Sequence, residues 1–273
     1  MASNLVRVVR TRGLDVLRQL RLEEALLRVD SGNWVIVNDG APSPAVVLGI
    51  SGRPHRLVDV AAAHRDGLRV IKRFTGGGTV VVDRDTQFVS IILNRDAVPG
   101  LELFPAPLMR WTGELYGGED NPHAVFRDVP GWRLRENDYV VGDLKVGGNA
   151  QSIAKDRWLH HTSFLWNYEP RMMRYLTIPE KQPAYRAGRD HGAFITPLSG
   201  LGFAREALGE RIEPALRGLG LRARRAQLAD AERAAFAGNV AHHRATAVVD
   251  LEAALGMDRD ARAPVLVENA PRG

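Results

Sequence analysis

Short β-branched runs arrive in neighbouring groups, with helical stretches between the groups, and this pattern constrains the chain more than any other feature. Trp34 to Val37 and Ala45 to Ile50 are separated by Asn38-Asp39-Gly40-Ala41-Pro42, a hairpin signal. Val70 to Arg73 leads into three glycines, after which Thr79 to Asp83 and Phe88 to Leu93 read as paired strands. Trp132 to Leu134, Asp138 to Val141, Lys145 to Val146 and Leu159 to Trp166 follow. Helical periodicity marks 14–29, through Leu14, Leu17, Leu20, Ala25 and Val29, and again the stretch with Leu108, Trp111 and Leu115. Leu57 to Asp66 also reads as helical, 169–200 as loop-rich, and the chain from Phe203 as helical until an irregular tail after Met257. Regular strand–helix alternation, which a doubly wound parallel sheet requires, is absent. The predicted class is therefore α/β (α+β): a mixed, largely antiparallel sheet flanked by helices.

Composition narrows the chemistry. The chain of 273 residues contains no cysteine, which excludes disulfides, thiolate metal sites and a cysteine acyl-enzyme. No apolar run approaches the roughly 18–20 residues that span a bilayer. The formal charge is +5, but only four basic residues are lysines (Lys72, Lys145, Lys155, Lys181). Such an arginine excess reports genome composition, so neither nucleic acid nor a membrane is expected as a partner. Met1 to Gly13 carries three arginines and no acid, yet lacks the apolar core of a secretory signal. A cytoplasmic location is expected, with the mitochondrial matrix as the alternative. His242 and His243, in a charged stretch, read as surface residues.

Two glycine-bearing segments carry the candidate chemistry. In Lys72-Arg73-Phe74-Thr75-Gly76-Gly77-Gly78-Thr79 the bare backbone permits positive φ and close approach of a ligand, and its N–H groups can converge on an anion. A tight turn without a ligand is the competing reading. In Asn137-Asp138 and Gly142-Asp143-Leu144-Lys145-Val146-Gly147-Gly148-Asn149-Ala150, a strand lysine precedes what reads as a loop of free N–H groups, a place for phosphate or carboxylate. A solvated lysine and a polar turn are the alternatives. His160 and His161 follow; neighbours on a strand face opposite ways, so one can line a pocket while the other packs.

In order and approximate spacing these parts resemble the lipoate–protein ligase A group of the biotin/lipoate ligase family: Lys72-Arg73-x-Thr75-Gly76-Gly77-Gly78 with Asp83, Asn137-Asp138, Gly142-Asp143-x-Lys145-x-x-Gly148-x-Ala150, and His160-His161. The resemblance covers roughly 15–200. It implies a class-II-synthetase-like, biotin-ligase-like catalytic domain over 1–200, with 201–273 as a helical extension packed on the same domain. It implies ATP and Mg²⁺ as cofactors and lipoate as substrate. Lipoyl-AMP would form and its lipoyl group pass to a lysine of a lipoyl domain, in a 2-oxoacid dehydrogenase E2 subunit or the glycine cleavage H protein. By matching position, Lys145 is the catalytic cation. Arg73, Gly77, Gly78, Thr79, Asp83, Asn137, Asp138, Gly148, Asn149 and Ala150 would line the nucleotide, with Asp138 helping to hold Mg²⁺. Leu22, Glu23, Arg73, Thr75, Gly76 and His161 would line the lipoyl channel. Thr75 stands where the family has Ser, Lys72 where it has Arg, and Val82 where a His often precedes the Asp. The two-domain bacterial members carry an accessory domain for which 201–273 is too short, so a separate chain is expected to supply it if one is needed. Transfer from preformed lipoyl-AMP and a non-catalytic binding module are the alternative functions.

Overall fold

The computed structural model describes residues 4–236 and 245–266; His242 and His243 lie outside them. In chain order the elements are β1 (Leu5–Arg12), α1 (Val16–Val29), β2 (Asn33–Asp39), β3 (Ala45–Leu48), α2 (Pro54–Leu57), α3 (Val60–Arg65), β4 (Arg69–Lys72), β5 (Gly76–Gly77), β6 (Val80–Val82) and β7 (Thr86–Asn94). Then come α4 (Pro105–Gly117), β8 (Trp132–Arg135), β9 (Asp138–Val141), β10 (Leu144–Ile153), β11 (Arg157–Leu165), α5 (His191–Phe194), α6 (Ala207–Gly218), β12 (Arg222–Ala226), α7 (Leu228–Ala235), β13 (Ala247–Val248) and α8 (Leu251–Leu255).

The strands form a nine-stranded sheet in the order β12-β1-β2-β7-β11-β10-β9-β8, with β5 added to β10, and a four-stranded sheet in the order β13-β4-β3-β6. Pairing is antiparallel except for β12–β1, β1–β2 and β3–β4. This is the mixed, largely antiparallel architecture expected from the sequence.

The pairings differ from the expected ones in three places. β2 and β3 are not a hairpin: both edges of β2 are taken, by β1 and β7, and the chain leaves for the second sheet at Gly40. Gly40 has φ +84°, and a Cβ there would stand 2.5 Å from the Arg84 carbonyl oxygen. β6 and β7 likewise lie in different sheets, joined by a turn in which the Asp83 carboxylate accepts from the Asp85 N–H at 2.9 Å. The run Gly147-Gly148 is not a loop but the middle of β10, paired to Phe164 and Ser163 of β11. The expected helix 57–66 is two short helices with a break at Val58-Asp59, where Asp59 caps the second by accepting from the Ala62 N–H.

Besides the two-residue strands β5 and β13, two longer strands escaped the sequence reading. β1 alternates arginines with the buried Val6 and Val8, and its basic character masks the period of two. β12 reads Arg-Ala-Arg-Arg-Ala and carries no β-branched residue, so the region after Phe203 is not helical throughout. It forms because its backbone completes the outer edge of β1 in parallel register, Leu5 opposite Arg222.

Apolar layers cover the large sheet on both faces. On one face Tyr116 of α4 packs with Phe126, Trp132, Tyr139 and Phe164, in a cluster that α4 and α6 cover, with the Phe126 and Trp132 rings stacked at 4.1 Å. On the other, Leu22 and Leu26 of α1 meet Trp34, Ile36, Ile92 and Leu159. A smaller cluster, including Val16, Leu20, Val47 and Phe88, fills the angle between the two sheets. There the sheets part, and a cavity opens.

Candidate active site

The cavity has a volume of about 810 Å³. Val16, Leu20, Val47 and Phe88 line an apolar arm, drawn from α1, β3 and β7. Val16 and Leu20 stand four apart and so share one helix face. Gly77, Gly78, Thr79, Lys145, Gly148, Asn149 and Ala150 line a polar wall.

That wall is built from interrupted strand pairing. One edge of β10 pairs with β11 from Gly147 to Ile153. Its other edge pairs with β9 as far as Gly147 and with β5 from Ala150. Between them, Gly148 and Asn149 have no ladder partner on that edge among the described residues. A register shift between Lys145 and Gly147 re-aims the lysine. A Cβ on Gly148 would be 3.7 Å from the Lys145 Cε, so the lysine stem passes over this glycine. Gly77 needs its missing side chain: φ is +120°, and a Cβ would lie 2.8 Å from the Asn149 carbonyl oxygen. The Thr79 hydroxyl is buried with no hydrogen-bond partner among the described residues.

Lys145 does not project into bulk water. Its Nζ lies 2.6 Å from Asp138 Oδ1, and the Tyr185 hydroxyl donates to Asp138 Oδ2 at 2.8 Å. Burial, reinforced by the Asp138 carboxylate, pushes the Tyr185 phenol well above its usual range, so it remains a donor. The backbone at Lys145 is held as well, its carbonyl accepting from the Thr196 N–H at 2.9 Å.

Behind the wall runs a buried polar network. Arg73, 2% exposed, donates Nε to Thr75 Oγ1 at 2.8 Å, Nη2 to the Gly78 carbonyl at 2.7 Å and to that of Gly76 at 3.4 Å, and Nη1 to the Val47 carbonyl at 3.3 Å. Burial lowers its pKa to about 10, opposed by Glu23, so the guanidinium stays charged at neutral pH. Thr75 Oγ1 is 3.4 Å from His161 Nε2, and His161 Nδ1 is 2.8 Å from Glu23 Oε2. Glu23 Oε1 accepts from Gln19 at 2.9 Å and Ser90 at 2.5 Å. One cation and one carboxylate, both buried, thus hold the glycine run against α1.

His160 faces away from His161, as strand alternation requires, and is fully buried. Gln151 Nε2 lies 3.0 Å from its Nδ1, and its Nε2 lies 3.1 Å from Thr162 Oγ1, which donates to Asn149 Oδ1 at 2.7 Å. Asn149 in turn donates to the Asn137 carbonyl at 3.0 Å. Burial, with a smaller push from His161, lowers the His160 pKa to about 3 from 6.5. The folded state therefore keeps this ring neutral while the unfolded chain takes up a proton below about pH 6.5. Its stabilising contribution is complete above that pH and declines as pH falls toward 3. Between pH 7 and pH 5 the expected loss is about 2 kcal/mol. Urea unfolding of the wild type and of His160→Gln at both pH values checks it: the variant should show a shallower pH dependence, and an unchanged slope refutes it.

Of the residues singled out in the sequence, Arg73, Gly77, Gly78, Thr79, Asn137, Asp138, Lys145, Gly148, Asn149, Ala150 and His161 meet at this cavity. Glu23 and Thr75 stand one layer behind, bonded to His161, and Gly76 pairs with Gln151. Leu22 and Asp83 stand apart from the cavity wall, contrary to expectation. Leu22 packs in the core under α1, because it is two positions from Leu20 and so on another helix face. Asp83 is held by its own turn, where Thr86 also donates to its carboxylate at 3.3 Å. Sequence reasoning missed the arm residues Val16, Leu20, Val47 and Phe88, and, within the stretch read as loop, Arg186 and the α5 residues His191 and Phe194. The spacing of Val16 and Leu20 was the available signal for the arm; the loop offered none.

Fold and cavity define a class: a mixed α/β protein with one cavity that joins an apolar arm to an amide-rich, cationic wall. The lipoyl protein ligase A/B catalytic domain family matches residues 15–199, and the chain belongs to that family. Its fold is the one seen in a crystal structure of lipoate-protein ligase A bound with ATP (TM-score 0.64, 18% identity, 86% of this chain and 93% of that one). It is likewise similar to a bi-partite lipoate protein ligase solved with its E2 lipoyl domain from Thermoplasma acidophilum (TM-score 0.66, 17% identity, 86% and 91%). In sequence, inactive lipoate–protein ligase 2 of Plasmodium falciparum is 29% identical over 234 residues, 67% of this chain and 60% of that protein. The chain spans about six tenths of the length of the curated relatives it matches. Among the described residues no helix is long and apolar enough to cross a membrane.

Proposed function

We propose that this chain is a lipoate–protein ligase, which activates lipoate with ATP and passes the lipoyl group to a lysine of a lipoyl-domain protein. The supporting observation is Lys145 on the wall of a single cavity whose arm suits an acyl chain and whose amides suit phosphate. A lipoate carboxylate oxygen bonds to the α-phosphorus, and the bond from that phosphorus to the bridging oxygen of pyrophosphate breaks. Two anions must approach for this, and the Lys145 ammonium lowers their repulsion and gains strength as charge builds. In the second step the acceptor lysine's amine attacks the lipoyl carbonyl and AMP leaves, with Lys145 steadying the developing oxyanion. Lysine suits one compact charge shared between two oxygens.

Among the described residues no group of three or more His, Asp or Glu side chains gathers as a metal cage. The donors fit Mg²⁺ that arrives on nucleotide phosphates and takes one carboxylate from the protein, with Asp138 in reach of that role. Its electrostatic contribution is to neutralise phosphate charge. The acceptor is proposed to be a lipoyl domain of an E2 subunit or an H protein, with any accessory function supplied by a separate chain.

One relative is named as inactive, which favours a second reading: a chain without the activation step, which either transfers from preformed lipoyl-AMP or only binds its ligands. Incubation of this chain alone with lipoate, ATP, Mg²⁺ and a lipoyl domain separates the two. Pyrophosphate release with a lipoylated acceptor is expected for the ligase. Lipoylation only from synthetic lipoyl-AMP selects the transferase, and neither product rejects both activities.

A further inference from the structure

Arg186 ends a short 3-10 turn, Ala184–Arg186, on the cavity wall and is 4% exposed. Its Nε donates to the Arg189 carbonyl at 2.8 Å, and its Nη2 lies 3.3 Å from His191 Nδ1. Nη1 has no acceptor among the described residues, and no described carboxylate pairs with the guanidinium. Asp190 and Asp138 act on it only through space. The Phe194 ring, 4.8 Å from Cζ, covers one face. A buried cation without a counter-ion is costly unless an anion comes to it.

The other buried or half-buried cations on this wall are engaged. Lys145 faces Asp138, Arg73 serves the glycine-run carbonyls, and Arg56 meets Asp260 and Glu180. Among the described residues Arg186 therefore stands out from the other buried and half-buried cations of this wall as the one with donors to give. Its loop is fastened beside Lys145 on two sides: Tyr185 bonds Asp138, and the Thr196 N–H bonds the Lys145 carbonyl.

We infer that Arg186 binds the β- and γ-phosphates of ATP, the half of the nucleotide that departs, while Lys145 acts at the α-phosphate. The inference rests on the ligase reading. As the bond from the α-phosphorus to the bridging oxygen breaks, its electron pair leaves with pyrophosphate, and the free guanidinium N–H groups receive that charge in the two-pronged manner for which arginine is suited.

Calorimetric titration with ATP, pyrophosphate and AMP tests it on the full chain. Arg186→Gln is expected to bind ATP and pyrophosphate about tenfold or more weakly while AMP affinity is retained, and Arg186→Lys to recover part of the loss. Transfer from synthetic lipoyl-AMP should survive in both variants. Unchanged ATP affinity in Arg186→Gln overturns the assignment, as does an equal loss for AMP, which would report a collapsed loop. A wild-type chain that binds no nucleotide fails the ligase reading itself, and that result is distinct from either.

Discussion

Lys145→Ala is expected to lower pyrophosphate release from lipoate and ATP by about 10²–10³-fold, equivalent to about 2.7–4 kcal/mol of barrier. The ammonium is the one wall cation held directly over Gly148, at the break in pairing where the amide-rich wall begins. Its removal leaves the α-phosphate and carboxylate to repel each other across unshielded space. Transfer from synthetic lipoyl-AMP should fall as well, because the same group steadies the carbonyl oxygen in the second step. The fold should survive, since the lysine stem covers a glycine on a partly exposed wall and its partner Asp138 retains the Tyr185 hydroxyl. Thermal unfolding of the variant separates this outcome from misfolding. Activity within threefold of wild type would remove Lys145 from the mechanism.

The second large effect falls on stability. Arg73→Met should destabilise the chain by about 3–5 kcal/mol, the range for breaking a buried charged network from one side. Four acceptors lose a donor at once: Thr75 Oγ1 and the carbonyls of Val47, Gly76 and Gly78. The Glu23 carboxylate, buried under α1, also loses the cation that balances it. Arg73→Lys should rescue little, because one ammonium cannot reach acceptors spread around a planar fork. Urea midpoints report the loss. A shift worth under about 1 kcal/mol would mean that water replaces the guanidinium without penalty, and that the glycine run is held by other contacts. The same substitution should weaken nucleotide binding, since the Gly77 and Gly78 segment of the wall depends on that fork.

These two residues also show where sequence reasoning reaches and where it stops. Lys145 was legible because the chain has few lysines and this one lies between glycines in an ordered set of motifs. Arg73 was legible as important but not in its role. From the sequence it is a cation beside a glycine run, ready for an anion; in the structure its N–H groups are committed to the run itself. That difference depends on the Val47 carbonyl and on Glu23, residues distant in sequence whose approach no local pattern announces.

The sequence by itself determined which segments become strands and helices wherever apolar spacing was clean, the mixed and largely antiparallel class, and the order of motifs that marks the family. Those features depend on nearest neighbours, on helical and strand periods and on the backbone freedom of glycine, all of which are local. Tertiary structure alone decided which strands pair. Gly40 sends β3 to a second sheet, β12 becomes a strand because the edge of β1 is open to it, and the parting of the two sheets makes the arm of Val16, Leu20, Val47 and Phe88. It also decided that Arg186 lies buried with no carboxylate paired to it among the described residues, because charge compensation depends on what the fold brings within a few ångströms rather than on what lies adjacent along the chain.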